Sequence, residues 1–146
     1  MFRGSAQAKI DEKGRLKVPT AFQRHIEERW GPEVFVTSIL GESALLYPLP
    51  VWEDIENRLA ALPSTHRAKN KYLERASYFG QEGKLDAQGR IVLPPILRES
   101  AGMEGEVVVM AQLDHLEIWN RDRFEKRRVD RPITDEDFES LSEAGI

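Results

Sequence analysis

Two short segments of the chain carry the same residue types at the same spacing, and each holds an Asp and several basic residues. The basic residues could bind phosphate, and the two Asp residues could act as an acid/base pair. The first segment runs from Lys9 to Pro19 and the second from Lys84 to Pro94. Both read Lys, aliphatic, Asp, two residues, Gly, Arg, aliphatic, any residue, aliphatic, Pro. An Arg at the base of such a turn can donate two parallel hydrogen bonds to a phosphate or to the edge of a guanine.

Two interpretations of the repeated Asp-x-x-Gly-Arg turn stay open. In the structural one, Gly permits a tight turn and Asp caps backbone N–H groups or pairs with the following Arg. In the functional one the Arg contacts DNA, and the Asp orients the turn because a carboxylate facing phosphate would repel it. The turn-orienting residues are then Asp11, Gly14, Asp86 and Gly89, and the central DNA contacts are Arg15 and Arg90.

Further bases surround the two turns. The supporting DNA contacts we expect are Lys9, Lys13, Lys17 and Lys84, with Arg3 as a weaker candidate. The first turn should carry more positive charge than the second, because Gln88 and Val92 stand where the first has Lys13 and Lys17.

The composition limits what kind of protein can display these turns. The chain has 146 residues, of which 40% are hydrophobic, and no Cys, so disulfides, thiolate metal sites and Cys nucleophiles are excluded and a large multidomain enzyme is too. The net charge of −4 is concentrated in the acidic stretch after residue 131, which leaves the body near neutral. No apolar run reaches the roughly 18 residues of a membrane span, and no signal peptide is evident. We expect a cytoplasmic protein, with neither a membrane partner nor a small-molecule substrate.

The same order of elements is predicted in both repeats: a β-hairpin around the Asp-x-x-Gly-Arg turn, a helix, then a second hairpin. Alternating apolar residues predict the strands, and Thr20-x-x-Gln23 has the spacing of a capping box that would start the first helix. Two further helices, over residues 51–62 and 64–78, form a helical hairpin linker. The predicted remaining elements are a hairpin of strands 33–40 and 44–47, a helix over 95–101, and strands 106–111 and 116–119.

Each repeat of about 45 residues is too small to be stable by itself, so the two should share one core. Folding them against each other gives a pseudo-twofold domain. Beyond residue 130 the apolar content falls in an acidic background, which predicts a mobile tail or a weak helix, and we expect disorder there.

These motifs resemble the MraZ family of bacterial transcriptional regulators, which are built from two tandem SpoVT/AbrB-type modules. The resemblance covers residues 1–124 and rests on five runs. They are Met1-Phe2-Arg3-Gly4, Asp11-x-Lys13-Gly14-Arg15-Leu16-x-Val18-Pro19, Leu46-Tyr47-Pro48, Asp86-x-x-Gly89-Arg90-Ile91-x-Leu93-Pro94-x-x-Leu97-Arg98 and Glu117-Ile118-Trp119.

The resemblance implies a mainly β, α+β fold, with a swapped-hairpin or double-psi-like β-barrel made from the two repeats. The modules would span residues 5–48 and 79–120, separated by a helical linker at 49–78 and followed by a C-terminal helix and acidic tail at 121–146. It further implies a ring-shaped homo-oligomer that binds double-stranded DNA at direct repeats in the promoter of the division and cell-wall gene cluster. Its own gene would be among the targets, and the protein would act as a repressor associated with the nucleoid.

Other functions have weaker signals. The pair Asp11 and Asp86 could in principle do acid/base work, but an Arg four residues on should lower each pKa, and no other catalytic motif is present, so we expect no enzyme and no cofactor. The three His residues lack metal-ligand spacing, so no metal is expected. An antitoxin-like interaction module of the same fold stays as the alternative, with the tail from Pro132 onward as its binding segment. A basic stripe of Arg67, Lys71 and Arg75 is read as a solvated helix face.

Overall fold

The computed structural model describes residues 2–146, and this part of the chain forms eight β-strands and six α-helices. The strands are β1 (Phe2–Ile10), β2 (Arg15–Lys17), β3 (Glu33–Thr37), β4 (Ala44–Pro48), β5 (Gln81–Lys84), β6 (Arg90–Val92), β7 (Gly105–Leu113) and β8 (His115–Asn120). The helices are α1 (Thr20–Trp30), α2 (Leu49–Ala60), α3 (Arg67–Phe79), α4 (Pro95–Ala101), α5 (Arg121–Asp130) and α6 (Asp135–Ser142). Met1, the first residue of the motif resemblance, lies outside the described residues.

The strands make one antiparallel sheet in the order β5-β3-β4-β8-β7-β1-β2-β6. The two repeats exchange strands within it. The first strand of each repeat pairs with the third strand of the other, so β1 lies against β7 and β5 against β3. The second strands pair with each other, β2 with β6, and so do the last strands, β4 with β8. The repeats therefore depend on each other for their backbone hydrogen bonds.

This pairing is symmetric. If the two repeats are exchanged, the strand pairs between the repeats stay the same. The sheet curves until its two ends, β5 and β6, come into contact, which gives a nearly closed barrel. The expected mainly β, α+β fold with swapped hairpins is confirmed.

The barrel encloses the main core. Leu16 on β2 and Ile91 on β6 face inward beside Val107 and Val109 of β7 and Ile118 of β8. Alternation in these strands turns every second side chain out of the barrel, so the residues on either side of Leu16 and Ile91 face outward.

The helical linker packs outside the barrel around a second apolar cluster. Trp52 of α2 is buried there, with its ring stacked on Phe35 and its neighbour Tyr47 close by. Ala76 of α3 completes the cluster. The predicted helical hairpin is confirmed, although α2 begins at Leu49 and α3 at Arg67.

Two local predictions are wrong. The capping box at Thr20 is absent, because Pro19 is the N-cap and no side chain caps the helix. The amide of Gln23 instead donates a hydrogen bond to the carbonyl oxygen of Val18. The first hairpin is also much shorter than predicted, since β1 and β2 share the single register pair Ile10–Leu16 while β1 pairs along its whole length with β7.

The C-terminal segment is helical where we expected disorder. A capping box starts α6, in which the Thr134 hydroxyl accepts from the Asp137 N–H and the Asp137 carboxylate accepts from the Thr134 N–H. Local hydrogen bonding and the acidic first turn favour this helix even though all of its residues are exposed. The mobility of the tail stays a prediction. None of the helices formed by residues 2–146 has the length and hydropathy of a membrane span.

Candidate nucleic-acid interface

The pair β2–β6 forms a two-stranded antiparallel ribbon from the two copies of the repeated motif. Its register places Arg15 opposite Val92 and Lys17 opposite Arg90. Because Leu16 and Ile91 point into the core, these four residues face outward on one surface. The two Arg residues, far apart in the chain, therefore lie on neighbouring strands about 4.8 Å apart.

The turn before β2 is held by the carboxylate of Asp11. One oxygen, Oδ1, accepts from the backbone N–H groups of Lys13 and Arg15, each at 2.9 Å. The other, Oδ2, accepts from Nε of Arg15 at 2.7 Å. The carboxylate therefore fixes both the backbone of the turn and the direction of the guanidinium.

The second turn repeats this geometry. Asp86 Oδ1 accepts from the N–H groups of Gln88 and Arg90 at 2.9 and 2.8 Å, and its Oδ2 accepts from Nε of Arg90 at 3.0 Å. The turns also bond to each other's strands, since Val18 N–H donates to Gly89 O and Leu93 N–H donates to Gly14 O, both at 2.9 Å.

These contacts lower the pKa of both carboxyls below the ordinary value of 3.8. For Asp11 the main cause is the hydrogen bond from the backbone N–H of Arg15, and for Asp86 it is the bond from the N–H of Arg90. Both groups are therefore ionised near neutral pH, and the expected lowering of their pKa values is confirmed. A permanently ionised carboxylate is a poor general acid.

Both Arg side chains are partly buried. The side chain of Arg15 is 27% exposed and that of Arg90 is 28% exposed, because each lies along its own Asp. Within the described residues, Nε makes the one side-chain hydrogen bond of each guanidinium, so the four Nη hydrogens remain for an external acceptor. An Arg held in this way is oriented before it meets a ligand, which reduces the entropy lost on binding.

A groove of about 260 Å³ runs beside the ribbon and brings three of the expected DNA contacts together. Arg15, Arg90 and Lys84 all line it. Lys84 reaches the groove from β5, at the place where the ends of the sheet meet. The acidic residues Glu82 and Asp86 lie in the same wall.

The other expected contacts are spread over the surface. Lys13 is exposed at the tip of the first turn. Lys9 lies on β1 opposite Glu106 of β7, whose carboxylate pairs with Arg121 at 2.5 Å. Arg3 pairs with Gln112 at the other end of β1, roughly 20 Å along the strand from Lys9 at the usual rise per residue. The structure does not bring Arg3 to the ribbon.

Two residues that support the turns were missed in the sequence. The guanidinium of Arg98 on α4 lies against Gly14, and the amide of Gln23 on α1 lies against Gly89. Each helix start therefore buttresses the turn of the other repeat. Their equivalent positions in the two repeats could have identified them, because each residue is the fourth after the proline that ends its motif, Pro19 or Pro94.

The backbone conformation requires glycine at both turn positions, Gly14 and Gly89. Their φ angles are +75° and +74°, and a Cβ at either position would overlap Arg98 or Gln23. This supports the expected turn geometry, while the assignment of the turns to DNA contact stays a prediction.

The remaining candidates lie elsewhere. Arg67, Lys71 and Arg75 are exposed on α3, outside the barrel. Residues 2–146 contain no cluster of three His, Asp or Glu side chains that could hold a metal ion.

Comparison with known proteins identifies relatives along the whole chain. A family model described as "MraZ protein, putative antitoxin-like" matches residues 1–75 and 80–138. A protein named Transcriptional regulator MraZ from Acidobacterium capsulatum is 46% identical over 146 residues, which covers all of both chains. Proteins of the same name are 44% identical in Koribacter versatilis, again over all of both chains, and 36% identical in Escherichia coli, over 82% of this chain and 80% of the relative.

Proposed function

The chain belongs to the MraZ family, and on that premise we propose that it is a DNA-binding transcriptional regulator whose β2–β6 ribbon contacts the duplex. One observation carries the proposal. The exchange of strands between the repeats places both Asp-held Arg side chains, Arg15 and Arg90, on one ribbon. A two-stranded ribbon fits the major groove of B-DNA, which is about 12 Å wide, and Arg is the side chain that most often reads guanine there.

The charges around the ribbon suit backbone contact as well. Lys17 lies directly opposite Arg90, and like charges at such a position are unfavourable unless an anion lies between or above them. A DNA phosphate would relieve this repulsion. Lys13 and Lys84 lie at the turn and in the groove, where they would contact neighbouring phosphates.

One ribbon neutralises about three or four phosphates, which gives only non-specific affinity at physiological salt. We therefore propose that the protein acts as a ring-shaped homo-oligomer, in which many ribbons bind direct repeats of DNA together. The targets proposed from the family resemblance are repeats in the promoter of the division and cell-wall gene cluster, upstream of its own gene, where the bound protein would repress transcription at the nucleoid.

A binding titration tests this function. Fluorescence anisotropy compares DNA from upstream of the protein's own gene with a shuffled control, for the wild type and for the variant Arg15→Lys, Arg90→Lys. Lys keeps the charge but loses the planar fork. We expect the wild type to prefer its own sequence and the variant to bind both DNAs alike with a similar salt dependence. Equal binding of both DNAs by the wild type would contradict sequence-specific regulation.

The matched control for this titration is Arg67→Lys, Arg75→Lys on α3, which makes the same chemical change on another surface. We expect it to bind DNA as the wild type does. A loss of preference in this control, with the ribbon variant unaffected, would move the interface to α3.

A further inference from the structure

The acidic helix α6 presents an apolar face that nothing in the described chain covers. Phe138 and Leu141, three residues apart, lie on one side of it and are exposed, Phe138 to 56%. Asp135 and Glu139, one turn apart, follow one edge of this side next to Phe138, while Glu136 and the C-cap residue Glu143 lie on the far side by helical spacing. An apolar stripe rimmed by charge is typical of a helix that packs against a partner.

A basic groove of about 270 Å³ lies on α5 and has the complementary character. At its base the guanidinium of Arg127 stacks over the ring of Trp119, at 4.8 Å from the ring centre, and Trp119 is only 5% exposed. Four bases and two acids form the rest of the lining. They are Arg123, Lys126, Arg127 and Arg131, with Glu42 and Asp130.

Part of this positive charge is already engaged and part is not. Arg127 pairs with Glu42 at 3.1 Å, and Arg123 donates to the carbonyl oxygen of Ser100 at 3.0 Å. Within the described residues, Lys126 and Arg131 make no side-chain ion pair or hydrogen bond. The groove thus offers two unpaired cations at its rim, above an indole that Arg127 already covers.

We propose that α6 of one copy of this chain docks in the α5 groove of a second copy. Asp135 and Glu139 approach Lys126 and Arg131, and Phe138 and Leu141 pack on the methylene stems of the groove's Arg and Lys side chains. Opposite charges around an apolar centre give such a contact its orientation and specificity.

The geometry favours a contact between copies over closure within one chain. Four residues separate α5 from α6, and the first of them, Arg131, itself lines the groove. A chain that folded α6 back onto its own groove would have to reverse direction at the residues that form the groove, and Pro132 restricts that reversal. A second copy meets no such constraint.

This inference rests on the proposed self-assembly but not on DNA binding. In the sheet, β8, which carries Trp119, is separated from β2 by β7 and β1. The groove and the ribbon are therefore different surfaces, and a test made without DNA reports on the groove alone.

Charge reversal in the full-length chain tests the docking. One variant, Asp135→Lys with Glu139→Lys, makes the helix basic, and a second, Lys126→Glu with Arg131→Glu, makes the groove acidic. Light scattering over a dilution series measures the mass of each. We expect either variant alone to need at least tenfold higher concentration than the wild type to assemble, because like charges then face each other.

Mixing the two variants distinguishes the possible partners. In the mixture each basic helix meets an acidic groove on the other chain, so assembly should return to the wild-type concentration range. Closure within one chain predicts no recovery on mixing and would contradict the proposal. Assembly of both single variants at the wild-type concentration would also overturn it.

A matched control keeps the test specific. Glu136→Lys with Glu143→Lys makes the same change of charge on the far side of α6 and should assemble as the wild type does. A wild type that is monomeric at every concentration would refute the proposed assembly itself, whereas a wild-type oligomer that ignores both reversals would refute the docking alone.

Discussion

Replacing Gly14 by Ala should damage the first turn through two separate costs. Its φ of +75° is left-handed, and an L-residue pays about 1–2 kcal/mol there. The added Cβ would also overlap the guanidinium of Arg98, which is the end of a flexible side chain and can move aside, so this overlap adds only about 1 kcal/mol, the low end of overpacking costs. Together the free energy of unfolding should fall by about 2–3 kcal/mol.

The control for Gly14 is Gly105, whose φ is +66° and whose Cβ would meet nothing within 4 Å. Gly105→Ala pays the conformational cost alone, so it should lose only about 1–2 kcal/mol. Urea unfolding followed by circular dichroism measures both variants. Removing the guanidinium first, in an Arg98→Ala background, should reduce the cost of Gly14→Ala to that of Gly105→Ala. Equal costs for the two Ala variants in the wild-type background would refute the role of Arg98 as the buttress.

Three further outcomes follow from the ribbon and its turns. Val92→Lys places a cation where the first repeat has Lys17, at a position whose side chain is 48% exposed. DNA affinity should rise, and the slope of log affinity against log salt should steepen by about 0.9. An unchanged slope would argue against contact between the ribbon and DNA. Folding lowers the pKa of Asp11 and Asp86, so their contribution to stability is present above the ordinary pKa of 3.8 and is lost as pH falls through the folded pKa values. Thermal melts of the double variant Asp11→Asn, Asp86→Asn should therefore show a weaker acid dependence than those of the wild type. Gln23→Ala should loosen the second turn and lower the melting temperature, and hydrogen exchange should show the loss of protection at Gly89 and Arg90 rather than in the first turn.

Local patterns in the sequence were sufficient to predict the geometry of the two turns. The spacing of Asp11, Gly14 and Arg15 predicts a turn with a left-handed Gly and an Asp–Arg pair, and the structure contains both. These features depend on residues within five positions of each other, where residue type and backbone geometry act directly. The same locality explains why the linker helices were predicted with errors of only a few residues at their ends.

The partners of the strands could not be predicted in this way. The apolar and polar residues of β1 alternate as in a hairpin strand, but its backbone hydrogen bonds join it to β7, about a hundred residues away in the chain. The contact of Arg98 with Gly14 likewise depends on three-dimensional packing. The repeat itself was the one sequence signal for this arrangement, because two small units without a core of their own must share one.

The most direct test of the ribbon as the DNA interface compares two variants that each lose three cations. The first carries Arg15→Gln, Lys17→Gln and Arg90→Gln, and the second carries Arg67→Gln, Lys71→Gln and Arg75→Gln on α3, with melting curves to confirm that both are folded. Anisotropy titrations at several salt concentrations give the affinity and its salt slope. We predict that the ribbon variant loses about 2–3 from the slope and most of its affinity, while the α3 variant binds as the wild type does. The reverse result would contradict the account.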